Sequence, residues 1–169
     1  MHLFYYCEGD PDVLAADYAP GPTTCLPQDR DVQPDAVVML RTGTKQYRFL
    51  DRRPEEAPRR SQQADDPRFR FITVNELESS WLRIKNWQEV LAACHRCETS
   101  SISRYKLSVL EILLGNTPHT VSSLIESLAA PPALGLGAIT QLLRERRVFA
   151  DLDRERWTWT TRVVPGEAE

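Results

Sequence analysis

Cys94-His95-Arg96-Cys97 sets two thiols and an imidazole within one short stretch, a cluster with which a zinc site could begin. Structural zinc takes four ligands, usually from two such pairs. Cys7 and Cys25 could in principle complete the set, but they lack paired-knuckle spacing. The segment also has helical character, where thiols pack as small apolar groups, so packing is the expectation. No Cys/His/acid arrangement suggests a thiol nucleophile. On Lys45–Arg53, Asp51 and Arg53 alternate with Tyr47 and Phe49 on one strand face, a carboxylate beside a cation. A surface ion pair of that kind is worth under about 1 kcal/mol. Asp35 follows Pro34 and could cap a turn or the start of a strand.

With 169 residues, the chain can hold one ordinary domain or two very small ones. A hydrophobic share of 41% is compatible with a packed core and argues against wholesale disorder. The net charge of −3 excludes a protein that coats nucleic acid by charge alone, so any DNA contact must be local or supported by a basic partner. No apolar run approaches the roughly 18–20 residues that span a bilayer. The start, MHLFYYCEGD, has no basic region and soon meets Glu8 and Asp10. The expectation is a cytoplasmic protein with no signal peptide, no membrane partner and cysteines kept as thiols.

The elements that must position these residues follow from periodicity. The first third reads as strands and loops. Residues 36–41 are a continuous apolar run, the pattern of a buried strand. Thr42-Gly43-Thr44 is turn chemistry and Lys45–Arg53 alternates, so the two segments form a hairpin. Residues 54–68 are polar and carry three prolines, which marks an exposed connection. Phe69–Val74 reads as a strand that can run parallel to an earlier one. Thr73 or Asn75 can cap the helix that follows, with Leu77, Trp81, Ile84 and Trp87–Leu91 near helical spacing. Trp81 and Trp87 do not share a helical face, so the expectation is a seam between the two halves with one of the two exposed as a partner surface.

From Ser101 the texture changes to short helices: Ser103–Leu114, Val121–Ala129 capped by Thr120, and roughly Leu134–Arg146. Val148–Leu152 and Arg156–Val164 then read as a hairpin with Trp157 and Trp159 on one face, closing the core of the wing, with an exposed anchor for a partner as the alternative. Three helices and a terminal hairpin are the winged-helix order. The third helix would read DNA with Thr140, Gln141, Arg144 and Arg147, while Arg154, Arg156 and Arg162 on the wing would contact phosphate. Residues 101–169 hold as many acids as bases, and Glu145, Asp151, Asp153 and Glu155 interleave with the arginines. A protein-docking or salt-bridged face stands beside the DNA reading on that count.

Taken in order, Asp10-Pro11-Asp12-Val13, Pro20, Pro34-Asp35, Asp51-Arg52-Arg53-Pro54, Phe71-Ile72-Thr73-Val74-Asn75-Glu76 and the tail from Leu107 span most of the chain. In order and spacing the chain resembles the TnsA-like endonuclease subunits of heteromeric transposases. The resemblance implies an α/β fold, a trimmed restriction-endonuclease-like PD-(D/E)xK core over residues 1–100, followed by a small winged-helix domain over residues 101–169. It implies Asp35 and Asp51 as the metal ligands, with Arg53 standing where the family has lysine. Phosphodiester hydrolysis needs a divalent ion on hard oxygen ligands and a cation near the phosphate. The cofactor would be Mg or Mn in an active enzyme and none in an inactive one.

The chain departs from the family at three points. The family's further acid lies on a helix before the first phrase, and the chain is expected to start too close to Asp10 to include it, with Glu8 too near to replace it. Arginine at 53 cannot give up its proton and has a bulky planar head. A register shifted by one would put Leu50 and Arg52 at the acid and lysine positions and abolish the site. The resemblance therefore implies a transposition accessory with an inactive nuclease core, docking on a transposase subunit or an AAA+ transposition regulator and on DNA. The alternatives are an active metal-dependent DNA endonuclease cutting transposon ends, and a winged-helix transcriptional or antitoxin-like DNA binder.

Overall fold

The computed structural model describes residues 1–20, 33–51, 66–97, 102–115 and 117–166. It is a mixed α/β structure that divides into two compact units, Met1–Trp81 and Leu82–Glu169. The division lies N-terminal to the 100/101 boundary expected from the change of texture, so nearly all of the tryptophan-bearing helix belongs to the second unit.

The first unit opens with α1 (His2–Gly9), which corrects the expectation that the chain starts too close to Asp10 to include a helix there: eight residues suffice for two turns. Leu3, Tyr6 and Cys7 recur at helical spacing and are buried, which gives the helix an inward face. Next come β1 (Val13–Asp17), β2 (Ala36–Leu40), β3 (Lys45–Asp51), β4 (Phe69–Thr73) and α2 (Val74–Ser79). The sheet order is β1-β2-β3-β4. β1 and β2 are antiparallel, as are β2 and β3, and β4 runs parallel to β3 as expected. A register shift between Val13 and Ala15 leaves Leu14 as a bulge.

The β2–β3 turn is set by Gly43, whose φ of 76° lies where a side chain is disfavoured. Its amide donates to the Leu40 carbonyl, and the Leu40 amide donates to Thr44. Register separates the two faces of the sheet. Ala36, Val38, Arg48 and Ile72 are buried on one face. On the other, Tyr47 stacks on Phe69 and Phe49 on Phe71.

Thr73 caps α2 by accepting from the Glu76 amide at 3.1 Å. The expected single helix is two, because the chain turns at Ser80 before α3 (Trp81–Arg96).

The second unit contains the rest of α3, then α4 (Ser103–Leu113), β5 (His119–Thr120), α5 (Val121–Ser127), α6 (Pro132–Arg144), β6 (Val148–Phe149) and β7 (Arg162–Pro165). Thr120 and Ser123 form a reciprocal capping box on α5. Pro131 and Pro132 start α6 rather than merely ending α5, with Pro132 in the first turn, where its missing N–H costs nothing. β5-β7-β6 is a small antiparallel sheet.

The terminal hairpin is much shorter than the expected Val148–Leu152 and Arg156–Val164. Residues 156–161 form a turn whose amides bond to nearby side chains, a local alternative to ladder bonds. Trp157 and Trp159 therefore do not share a strand face. Trp157 is buried at 8% and Trp159 exposed at 55%. Trp87 is buried with the Arg146 guanidinium 4.8 Å above its ring, whereas Trp81 is exposed.

Candidate functional sites

Topology gathers the acidic candidates at one end of the four-stranded sheet. β2 starts just after Asp35 where its antiparallel partner β3 ends at Asp51, and parallel register sets Asp51 beside Thr73 at the end of β4. The Asp35 amide donates to the Arg48 carbonyl at 3.0 Å. Its carboxylate accepts from the Leu50 amide at 2.8 Å, one residue before Asp51. Asp35 thus clamps the start of β2 onto β3 through a charge-assisted bond. Arg53 lies outside the described residues, as does Cys25. Among the described residues no group of three or more His, Cys, Asp or Glu side chains gathers where an ion could sit. Two carboxylates, one already engaged by the Leu50 amide, would leave a magnesium ion to complete its six-oxygen shell with water and phosphate.

The α1 face of this unit carries two polar groupings. Arg48, 1% exposed, donates from Nη2 to Asp10 Oδ2 at 2.6 Å, from Nη1 to Cys7 Sγ at 3.4 Å and from Nε to Gln46 Oε1 at 3.0 Å. A buried guanidinium needs such a set, because desolvation otherwise outweighs its attraction to a partner. Burial pushes the Cys7 thiol above its ordinary range even though Arg48 opposes this, which makes the thiol inert.

Register sets Arg70 beside Arg48 on the same face. Arg70 donates to the Tyr6 hydroxyl at 3.0 Å and to Glu76 at 2.7 Å, and the Tyr6 hydroxyl donates to Glu76 as well. Burial and the Glu76 hydrogen bond push the Tyr6 phenol up to about 12. Burial alone would raise the Glu76 carboxyl, but the bonds from Tyr6 and Arg70 outweigh it and hold the carboxyl below its ordinary range. Glu8, near the C-terminal end of α1, accepts from the Tyr18 hydroxyl at 3.0 Å. Burial, then the nearby Glu8 charge, raises the Tyr18 phenol.

In the sequence Glu76 stands out only within the family phrase, with nothing to tie it to Tyr6 or Arg70. The alternation of Phe69–Thr73 already puts Arg70 on the face opposite the aromatic ladder, and that was the available signal.

In the second unit the candidate DNA-reading residues separate. Thr140 is fully buried, with its hydroxyl donating to the carbonyls of Leu136 and Gly137 at 3.0 and 3.1 Å. A hydroxyl turned back on its own helix and buried in the core does not reach a DNA groove. Gln141 is half-buried, and Arg144 and Arg147 are exposed. Arg154, Arg156 and Arg162 are exposed around the loop that leads into β7. Nearby, Asp153 pairs with Arg83 and Glu145 with Lys106. Cys97, just past α3, donates its thiol to the Ala133 carbonyl at 3.3 Å, and both it and Cys94 are buried, in keeping with a packing role.

Asn86, which the sequence reading passed over, organises this unit. Its amide donates to the carbonyls of Leu152 at 2.7 Å and Glu155 at 2.8 Å, and its oxygen accepts from the Trp157 amide at 2.9 Å. Among the described residues, no helix is long and apolar enough to cross a membrane. No protein-family model matches the chain, and neither a curated protein nor a solved structure is found to match it.

Proposed function

We propose that the chain is a DNA transposition accessory, a TnsA-like subunit whose nuclease core has lost its chemistry and which acts by docking. One observation carries this reading. A β2–β3 hairpin lies beside a parallel β4 and brings Asp35 and Asp51 to the same end of the sheet, the arrangement the family resemblance implies for a restriction-endonuclease-like core. The α1 helix ahead of Asp10 adds to the match.

Loss of chemistry follows from the residues themselves. Arg53 stands in the lysine position, and the Asp35 carboxylate acts as a backbone clamp. In the second unit, the order of helices and closing sheet supports a winged-helix reading. The inward-facing Thr140 favours protein docking over groove recognition there. The partners of this reading are a transposase subunit and an AAA+ transposition regulator, with local contact to DNA.

An excision assay that combines this chain with a transposase subunit and an AAA+ transposition regulator tests the proposal. Deleting the chain is expected to depress excision, and the Asp35→Asn/Asp51→Asn double variant is expected to restore it to the wild-type level. Restoration by wild type but not by the double variant would instead establish an active metal-dependent endonuclease. Excision indifferent to deletion would remove transposition and leave the transcriptional or antitoxin-like reading.

A further inference from the structure

The segment Arg156–Thr161 holds a large indole in water on a stiff support. The Thr158 amide donates to Thr161 Oγ1 at 2.8 Å, the Thr158 and Thr160 hydroxyls lie 2.9 Å apart, and the Thr161 hydroxyl donates to the Arg156 carbonyl at 3.1 Å. The flanks are fixed as well. The Trp159 carbonyl accepts from the Ser122 amide at 2.9 Å, and buried Trp157 is held through its amide by Asn86. Trp159 itself is 55% exposed. Next to this loop, the register of β5-β7-β6 puts Phe149 opposite Val164 and Arg162 opposite Thr120 on the outer face of the sheet, while Val163 points inward. Phe149 and Val164 are exposed.

The charges around this surface are unbalanced. Arg154, Arg156 and Arg162 are exposed and make no ion pair among the described residues, whereas Asp153 is neutralised by Arg83. Of the acids at 151, 153 and 155, Asp151 is half-buried and Glu155 exposed, and neither makes an ion pair among the described residues, so three cations stand against two acids.

We propose that Trp159, with Phe149, Val164 and the arginines 154, 156 and 162, is a docking surface for an acidic protein segment that accepts the indole in an apolar pocket. The proposal rests on the docking reading above and names the chemistry of the partner. Tryptophan and arginine dominate interface hot spots. A loop already fixed in its bound shape loses little freedom on association. The apolar part of the surface gives no advantage with a phosphate backbone, whose affinity comes from charge neutralisation. The surface therefore favours protein over DNA.

The test is selection of a displayed library of random peptides on the full chain, followed by fluorescence titration of the enriched peptides. Enriched peptides are expected to combine Asp or Glu with apolar residues. Trp159→Ala is expected to bind them about tenfold or more weakly. Arg156→Glu/Arg162→Glu is expected to weaken binding and to reverse its salt dependence, because the altered surface repels an acidic peptide. Melting curves matching wild type establish that these exposed substitutions leave the fold intact.

Peptides without acidic bias, or bound as tightly by Trp159→Ala as by wild type, would overturn the proposal. A DNA duplex that displaces the peptides and is itself lost in both variants would assign the surface to nucleic acid and overturn it equally. Failure here leaves the excision assay unaffected, so the surface and the transposition role are judged separately.

Discussion

Asn86 is fully buried and uses both ends of its amide on backbone groups of the 152–157 stretch. Asn86→Asp replaces two donors with a charge facing two carbonyls. The expected cost is about 3 kcal/mol or more, because buried groups left unmatched lose their full desolvation energy. Urea unfolding reads this directly, and a loss under about 1 kcal/mol would show that water substitutes for the amide.

Arg48 and Asp10 make the same point in the first unit. Arg48→Met alone is expected to cost about 3–5 kcal/mol by removing the guanidinium from a buried carboxylate, and Arg48→Met with Asp10→Leu to recover most of that loss. A double variant no better than the single would show that the pair is not what matters there.

Protonation supplies two further expectations. The Glu76 carboxyl is held below its ordinary range in the folded chain, so its contribution to stability is present at neutral pH and is lost as pH falls through the folded value. Glu76→Gln is expected to flatten the acid limb of a stability–pH curve. The Tyr6 phenol is raised from 10.0 to about 12, so its contribution is full below pH 10 and is lost as pH climbs toward 12. Tyr6→Phe is expected to remove that alkaline loss, and an unchanged alkaline limb would exclude Tyr6 as its source.

Among the elements, α6 packs closely at Gly137. A Cβ at Gly137 would stand 2.6 Å from Cys97 Cβ and 2.7 Å from its sulfur. Gly137→Ala should therefore destabilise by about 1–3 kcal/mol through overpacking, despite alanine's better helix propensity. Ala129, after α5, has a φ of 46°. Ala129→Gly is expected to raise stability by about 0.5–1 kcal/mol, as relief of left-handed strain exceeds the added entropy of glycine.

The elements differed in how far periodicity revealed them. The apolar run of β2, the alternation of β3 and the Gly43 turn made the hairpin legible, and so were parallel β4 and the Thr120 cap. β1, with the sequence VLAAD, is too short and alanine-rich to show alternation. α1 carries Leu3, Tyr6 and Cys7 at helical spacing, but only two turns fit before Asp10, too few for the periodicity to stand out. The alternation in RWTWTTRVV pointed to a long strand, but the Thr158 amide is taken by the nearby Thr161 hydroxyl and the Trp157 amide by Asn86, 71 residues away in sequence. No local pattern marks Arg48 as buried, since its partner Asp10 is 38 residues away in sequence.

For the whole molecule, the four-stranded sheet of the first unit and the unit that carries Trp159 bear on different parts of the proposal. In the first unit, Asp35 and Asp51 reach the same end of the sheet, which the phrases Pro34-Asp35 and Asp51-Arg52-Arg53 made legible only through the family resemblance. Nothing in the spacing showed that the Asp35 carboxylate would bind the Leu50 amide, because that bond depends on register. In the second unit, the burial of Thr140 follows from how completely α6 is enclosed, which composition does not reveal. The proposed docking subunit with a degenerate nuclease core would account for both units.

Calorimetric titration of manganese into wild type and Asp35→Ala tests that account most directly. The account predicts no saturable binding to either protein. Saturable binding to wild type that disappears in Asp35→Ala would contradict it and show that the metal centre survives.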